Sequence, residues 1–172
     1  MSFSSEIQSK IEAAAAAHRL PSELVYAVVE VESGGDPLAR SPVGARGLMQ
    51  LMPATFIEMG GVEGEIYDPA ANLDAGCKYL RLQFDKFAEI KDPHERMKIA
   101  LAAYNGGRGY INRALKLTRK YLSREDARVW SLARLTLAYE ECEVGGRRPD
   151  WRQIWDYVER VWRRYVERLY GV

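Results

Sequence analysis

Helix-forming segments, separated by capping residues and glycine stops, follow one another along this chain, and this pattern most restricts its fold. Apolar residues recur at spacings of three and four, whereas no alternating run of five or more residues predicts a strand. Ser4 and Ser5 precede an alanine-rich segment, and Gly34-Gly35 ends the next one. The pattern therefore predicts an all-α protein.

Capping residues and prolines place the individual helices. Pro21 opens the second helix in the first turn, Pro53 opens the fourth, and Asn72 is predicted as the N-cap of the long fifth helix. Capping boxes are expected at Ser123 with Asp126 and at Asp150 with Gln153. The predicted helices cover residues 5–18, 22–33, 48–52, 53–59, 72–88, 95–104, 123–143 and 151–169.

The bulk composition fits one globular domain. The chain has 172 residues, of which 47% are hydrophobic, and no apolar run reaches the length of a membrane span. The N-terminal segment lacks a basic leader, which argues against a classical signal peptide. Cys77 and Cys142 show neither a disulfide framework nor metal-ligand spacing, so we expect free thiols and neither a metal nor another cofactor.

Charge is unevenly distributed. Residues 1–107 carry 10 basic and 15 acidic side chains, and residues 108–172 carry 15 and 9. We expect the basic half to complement the acidic half within one fold, although it could also face an anionic polymer or membrane. The last helix carries one apolar stripe, formed by Trp151, Ile154, Trp155, Val158, Trp162, Tyr165 and Leu169.

Two glutamates lie in the valine-rich second helix and fall on different faces. Glu32 shares its face with Val25, Val28 and Val29, whereas Glu30 falls on the more polar side and is expected to be a solvated or rim residue. Burial and the negative end of the helix dipole both raise the pKa expected for Glu32. A carboxylic acid that stays protonated near neutral pH suits general acid catalysis, although a structural carboxylate is the simpler alternative.

Three motifs surround this glutamate in the chain: "ESGGDPLARSPVGARGLMQLMPAT" from residue 32, "YDPAANLDAGCKYL" from residue 67 and "ALAAYNGGRGYI" from residue 100. In this order and spacing they resemble the catalytic domain of the lytic transglycosylases, of the soluble-lytic type in glycoside hydrolase family 23. The resemblance covers about residues 20–115 and departs at Gly106, where alanine is usual. It implies a lysozyme-like helical fold related to goose-type lysozyme, a single compact domain over 1–172 with a substrate groove.

The resemblance also implies roles for individual residues. Glu32 matches the catalytic acid, and Tyr104 matches the tyrosine whose hydroxyl approaches it. Met49 would give an apolar floor and Gln50 amide hydrogen bonds to the sugars. The residues implied in substrate binding are Ser33, Ser41, Leu48, Met49, Gln50 and Asn105. Taken singly, Leu48 and Met49 also fit core positions, Tyr104 also fits packing at a helix end, and Asn105 also fits a C-terminal cap.

The family's reaction uses one glutamate as acid and then as base on peptidoglycan glycan strands, and it closes a 1,6-anhydro ring on N-acetylmuramic acid without consuming water. Two alternatives remain: a hydrolytic muramidase that uses a second carboxylate such as Asp36, and a non-catalytic glycan-binding module. Asp36 also fits a turn before Pro37.

The segment 116–172 lies outside the three motifs. It is expected to be a helical extension packed on the core, although its arginines could instead contact the envelope or a membrane. A monomer without nucleic-acid partners is expected. The resemblance and the apparent lack of a leader favour a phage endolysin or virion enzyme, made in the host cytoplasm and acting at the bacterial cell wall or within a phage particle.

Overall fold

A computed structural model describes residues 3–121, 131–135 and 141–172 of the chain. In these ranges the regular elements are all helices, and extended pairing is limited to isolated bridges such as Arg46 with Leu51. The all-α prediction is thereby confirmed. The chain divides into two compact units, Met1–Arg81 with Arg160–Val172, and Leu82–Glu159. The predicted division into a core at 20–115 and an extension at 116–172 stays a prediction.

The first unit begins with two helices that pack on each other. Helix α1 spans Ser5–Ala17, and α2 spans Ser22–Ser33. The Ser4 hydroxyl oxygen accepts a hydrogen bond from the Ile7 amide at 3.3 Å, which confirms the predicted N-cap of α1. Ile11 of α1 and Val25 of α2 are completely buried and form part of the core.

Both predicted ends of α2 are close to those observed. Pro21 occupies the N-cap position, one residue earlier than its predicted place in the first turn. Gly34 ends α2 in the left-handed conformation with φ at 62°, and its amide donates to the Glu30 carbonyl at 3.1 Å. This sharp stop places Glu32 in the last turn of the helix.

Helix α3 spans Pro53–Glu58, one residue shorter than the predicted 53–59, and the helix predicted at residues 48–52 is wrong. These residues form a tight turn instead. Gln50 has a φ of 48°, which no right-handed helix contains. The turn is closed by two reciprocal backbone hydrogen bonds between Arg46 and Leu51, at 2.9 and 3.0 Å. These backbone hydrogen bonds across the loop outweigh the helix propensity of residues 48–52.

Helix α4 spans Pro69–Lys86, so the predicted start at Asn72 is also wrong. Asp68 caps the first turn, because its Oδ1 accepts a hydrogen bond from the Ala71 backbone amide at 2.8 Å. Asn72 lies inside the helix with no exposed surface. Its side chain is therefore available for bonds to other parts of the first unit.

The second unit contains helices α5, Pro93–Gly106, and α6, Arg108–Tyr121. Asp92 caps α5, since its Oδ1 accepts from the amides of His94 and Glu95, and these bonds lower the pKa of the Asp92 carboxyl. The sequence analysis placed no helix at α6. Its buried residues nevertheless follow the helical spacing: Ile111, Ala114, Leu115, Leu117 and Thr118.

The helix predicted at 123–143 falls largely outside the described residues, including Ser123, Asp126 and Trp130. A described part, Leu132–Leu135, is helical and is labelled α7. The Leu132 amide donates to Glu95 of α5 at 2.8 Å. Residues 141–143 are not helical, so the predicted end of this helix is too late.

Helix α8 spans Trp151–Tyr170, close to the predicted 151–169. Asp150 caps it as expected, because its Oδ1 accepts from the Gln153 amide at 3.1 Å. Of the predicted stripe, Ile154 and Val158 are buried, whereas Leu169 is exposed. No helix in the described ranges is both long enough and apolar enough to cross a membrane.

The departure of Gly106 from the usual alanine has a structural reason. A Cβ built on Gly106 would lie 2.2 Å from Ile154 Cδ1 and 2.6 Å from its Cγ1. The end of α5 and the start of α8 therefore pack so closely that an alanine at residue 106 would require the Ile154 side chain to shift. This contact joins the last turn of the Ala-Tyr-Asn-Gly-Gly segment to α8.

We predict that Gly106→Ala lowers the free energy of unfolding by about 1–3 kcal/mol, because the added methyl group overpacks this contact. Ile154→Ala alone should cost about 2–5 kcal/mol. The double variant should lose clearly less than the sum of the two, since the second change removes the clash. Urea denaturation of the four proteins measures this coupling, and strictly additive losses would contradict the packing described.

Candidate active site

The last turn of α2 presents Glu32 at the edge of a buried valine face. Val25, Val28 and Val29 have no exposed surface, and Glu32 is half-buried. Helical geometry places it on the same face as these valines. The predicted position of Glu32 at the inner side of α2, in its final turn, is confirmed.

Ser33 fastens the end of α2 to the following loop. Its hydroxyl lies 2.8 Å from the Leu48 carbonyl and 3.1 Å from the Val29 carbonyl, and it accepts from the Gly35 amide at 3.1 Å. A hydroxyl has one proton, so it donates to one of these carbonyls at a time. Ser33 therefore holds the Leu48 segment next to Glu32, and its predicted sugar contact stays a prediction.

Gln50 closes the same loop from the other side. Its Nε2 donates to the carbonyls of Ala39 at 3.1 Å and Gly47 at 3.0 Å. Both amide protons are therefore used within the loop. Its Oε1 accepts no bond from any residue that the structure describes, and the side chain is half-buried. Gln50 can thus offer a ligand an acceptor, but no further donor.

Ser41 stabilises the outer turn of this loop. Its Oγ accepts from the Ala45 amide at 3.0 Å, and its own amide donates to the Ala45 carbonyl at 3.0 Å. The residue is half-buried. It lies in the loop where the resemblance placed it, and its backbone and side chain both have structural partners there.

The buried side chain of Asn72 anchors the loop to α4. Its Oδ1 accepts from the Met49 amide at 2.8 Å, while Nδ2 donates to the carbonyls of Ile66 at 2.8 Å and Arg46 at 3.1 Å. Gly47 makes this approach possible, since it has a φ of 78° and a Cβ there would collide with the Asn72 amide. The sequence analysis did not assign Asn72 this role, because its partners Met49 and Arg46 lie 23 and 26 residues away in the chain.

Leu48 and Met49 lie in the core beneath the loop. Neither has exposed surface, and Gly76 of α4 leaves the space that Met49 occupies. The Met49 sulfur lies 4.0 Å from Cys77 Sγ. Their complete burial agrees with the alternative in which Leu48 and Met49 are core residues. The exposed methionine of the segment is Met52, with 44% of its surface accessible, and it is better placed than Met49 to give sugars an apolar surface.

Burial also explains the two cysteines, which are both free thiols with no exposed surface. Burial, with a smaller contribution from Asp74, raises the pKa of the Cys77 thiol to about 12. Burial likewise raises the pKa of the Cys142 thiol. Both thiols stay protonated at neutral pH, which makes them poor nucleophiles.

Glu30, expected as a solvated or rim residue, is mostly buried and ion-paired. Its carboxylate lies 2.9 Å from Arg168 Nη2 and 3.4 Å from Arg164 Nε, and only 13% of its side chain is exposed. The Arg168 guanidinium also lies 5.1 Å from the Tyr26 ring and 5.6 Å from the Phe3 ring. For these residues, the basic tail complements the acidic front half as expected.

Asp36, the alternative second carboxylate, is an exposed turn residue. Its Oδ1 accepts from the Leu38 amide at 2.8 Å, and its carbonyl accepts from the Ala39 amide at 3.2 Å. These hydrogen bonds agree with the alternative in which Asp36 is a turn residue before Pro37. In the described part of the chain, no three His, Cys, Asp or Glu side chains cluster in a way that could hold a metal ion.

Tyr104 and Asn105 belong to the second unit, in the last turn of α5. Tyr104 is 9% exposed and Asn105 is half-buried. Asn105 lies within the helix, and the C-cap is Gly107, whose amide donates to the Ala103 carbonyl at 3.0 Å. The simple capping alternative for Asn105 is therefore wrong, and the approach of Tyr104 to Glu32 stays a prediction.

Comparison with known proteins identifies relatives for most of the chain. The family model described as "Transglycosylase SLT domain" matches residues 9–127. The chain is 38% identical over 109 residues to the membrane-bound lytic murein transglycosylase F of Desulfosudis oleivorans, and 40% identical over 111 residues to the transglycosylase of Enterobacteria phage PRD1. These matches cover 63% and 64% of the chain, but only 24% and 38% of the relatives' own lengths.

A solved structure shows the same fold. An inactive glutamate-to-glutamine mutant of the lytic transglycosylase Slt from Pseudomonas aeruginosa superposes with a TM-score of 0.66 at 25% identity. The match covers 92% of this chain and 23% of that protein. The expected relation to the lysozyme-like helical fold of these enzymes is thereby confirmed.

Removing the Asn72 anchor should destabilise the first unit. We predict that Asn72→Leu, which is similar in size, lowers the free energy of unfolding by roughly 2–4 kcal/mol, because it leaves one amide and two carbonyls without their partner. Asn112→Leu on the exposed side of α6 is the matched control and should change stability little. Urea denaturation compares the two, and equal effects would contradict the anchoring role.

Breaking the Glu30 pairs should also be measurable. We predict that Glu30→Gln costs about 1–3 kcal/mol, less than for a fully buried pair because both arginines remain partly exposed. Glu23→Gln is the control, because Glu23 lies on the same side of α2 and has no ion pair with any residue that the structure describes. The difference between the two variants should shrink in 1 M salt. If salt leaves it unchanged, the loss does not arise from these ion pairs.

Proposed function

The chain belongs to the transglycosylase SLT domain family, and from that premise we propose that it is a peptidoglycan lytic transglycosylase. Its proposed substrate is the β-1,4 bond between N-acetylmuramic acid and N-acetylglucosamine. The observation that carries the proposal is the half-buried Glu32 at the end of α2, with a loop fastened beside it by Ser33, Gln50 and Asn72. Such fixed surroundings are what a single acid/base residue needs.

In the proposed reaction Glu32 acts twice. Its protonated carboxyl gives a proton to the glycosidic oxygen while the bond from that oxygen to C1 of N-acetylmuramic acid breaks. The substrate's acetamido group stabilises the positive charge that develops at C1. The Glu32 carboxylate then takes the proton of the 6-hydroxyl, whose oxygen bonds to C1. Glu32 ends protonated again, and no water is consumed.

The other residues have supporting roles in this proposal. The Gln50 Oε1 accepts from the substrate, and the exposed Met52 gives an apolar surface for a sugar ring. Leu48 and Met49 support this surface from the core. Ser33 and Ser41 fix the loop and line the substrate groove. Tyr104 and Asn105 are proposed to complete the site, with the Tyr104 hydroxyl near Glu32.

The Pseudomonas aeruginosa neighbour supports a mechanism that depends on one glutamate, because a glutamate-to-glutamine mutant of that enzyme is inactive. The PRD1 relative supports a phage setting, in which the protein degrades the bacterial cell wall during infection or release. We propose that it does so as a monomer.

We predict that Glu32→Gln lowers the rate of release of soluble fragments from purified peptidoglycan by roughly 10²- to 10⁴-fold. The free energy of unfolding should stay the same. Asp36→Asn is the matched control and should keep nearly the wild-type rate, because Asp36 serves a turn. Mass spectrometry of the wild-type products should show 1,6-anhydro ends. Reducing N-acetylmuramic acid ends, together with an inactive Asp36→Asn variant, would establish a hydrolytic muramidase instead.

A further inference from the structure

A cavity of about 640 Å³ lies beside α3, and all of its lining residues belong to the first unit. Its walls are mostly apolar and are formed largely by five residues: Pro53, Ala54, Phe56, Ile57 and Ile66. Gly61 lies directly against the Phe56 ring, since a Cβ built there would come within 2.4 Å of that ring. The size of the cavity and its largely apolar lining are typical of sites that bind small molecules.

Arg46 supplies the positive charge in this lining. The residue is half-buried, and its Nε is buried without a hydrogen-bond partner. Among the residues that the structure describes, Arg46 forms no ion pair, and its guanidinium carbon lies 5.9 Å from the centroid of the Tyr67 ring. A partly buried charge without a counter-ion is costly, so an anion bound beside Arg46 would offset that cost.

Glu63 does not neutralise this charge. It also lines the cavity, but it is exposed and pairs with no cation in the described ranges. Water and salt therefore screen its repulsion of a bound anion, and it would gain little from a bound cation. The charge that a ligand can compensate is the one on the half-buried Arg46, which favours an anionic ligand.

The walls favour an aliphatic body for this ligand. Ile57 is 48% exposed, so a ligand that covers it removes apolar surface from water. Phe56 is only 1% exposed, and its ring therefore offers no open face on which a sugar would stack. A guanidinium binds a carboxylate through two parallel hydrogen bonds. An aliphatic carboxylate, which is the chemistry of a free fatty acid, fits both parts of the cavity.

The wall of the cavity is connected to the turn that carries Gln50. Asn72 Nδ2 donates to the carbonyls of Arg46 at 3.1 Å and Ile66 at 2.8 Å. Arg46 also exchanges two backbone hydrogen bonds with Leu51, the residue after Gln50. A ligand that holds Arg46 and Ile66 in place therefore also opposes opening of this turn, and such coupling acts in both directions.

We propose that this cavity is a binding site for an aliphatic carboxylate, with Arg46 on the carboxylate and the α3 wall along the aliphatic chain. Occupancy of the site stabilises the turn at Gln50, and this links the ligand to the candidate active site. The inference goes beyond the proposed function, and its binding test needs no catalysis.

Calorimetric titration of the wild-type protein with octanoate, below its micelle concentration, tests the site. Octanoate should bind about tenfold more tightly than octanol, which has the same chain length but no charge. Hexanoate should bind roughly tenfold more weakly than octanoate, because fewer methylene groups are buried. Equal affinities for octanoate and octanol, or no measurable binding of octanoate, would overturn the proposal.

Variants locate the bound carboxylate. Arg46→Gln should weaken octanoate binding about tenfold and leave octanol binding unchanged, because octanol has no charge to pair. Arg40→Gln is the control, since it removes an exposed positive charge from the same loop but outside the cavity, and it should bind octanoate like the wild type. Equal losses in these two variants would show a response to net charge and contradict the site.

Filling the cavity is a second, independent change. Ala54 is exposed, so Ala54→Phe should fold normally while its added ring takes up space in the cavity. It should weaken the binding of octanoate and of octanol alike. Unchanged binding of both ligands would place them elsewhere on the protein and overturn the proposal.

Hydrogen exchange measures the link to the turn. Octanoate at about ten times its Kd should slow exchange of the Leu51 amide, which donates to the Arg46 carbonyl at 3.0 Å, about tenfold. The Leu115 amide of α6, in the second unit, is the reference and should not change. Unchanged exchange at Leu51, or equal slowing at both amides, would rule out the link to the candidate active site.

Discussion

The buried amide of Asn72 is the contact on which the candidate active site depends. It occupies three backbone groups of the 46–66 segment at once, through Met49, Arg46 and Ile66. A backbone group left unsatisfied in this interior would cost free energy, so the loop can take only a conformation that meets the amide. Gly47 is required at the closest approach, because a Cβ there would collide with the Asn72 amide.

Other side-chain contacts hold α2 itself in place. Ser33 ties its end to the Leu48 carbonyl, and Glu30 joins its polar face to arginines near the end of α8. The two glutamates of this helix thus have separate tasks. Glu30 is neutralised in a structural pair, whereas Glu32, two residues on and about 200° around the helix, stands at the edge of the valine face.

The sequence predictions were accurate where the interacting residues are close in the chain, and they failed where those residues are far apart. Caps such as Ser4 and Asp150 depend on neighbours three residues away, and they were predicted correctly. Asn72 was misassigned as a cap because its partners lie up to 26 residues away in the chain. Glu30 was expected to be a solvated or rim residue, because its partners lie more than 130 residues away and no local pattern shows them. Leu48 and Met49 had two reasonable readings, and only burial could choose between them.

The sequence by itself determined the helical class, the ends of most helices and the singular position of Glu32, because periodicity and capping are local properties. Its ordered motifs also pointed to the family. Only the tertiary structure decided which polar side chains hold the loop, which methionine is exposed and which arginines pair with Glu30. Those properties depend on groups that are distant in the chain and become neighbours only when the chain packs, since hydrogen bonds and ion pairs require contact within a few ångströms.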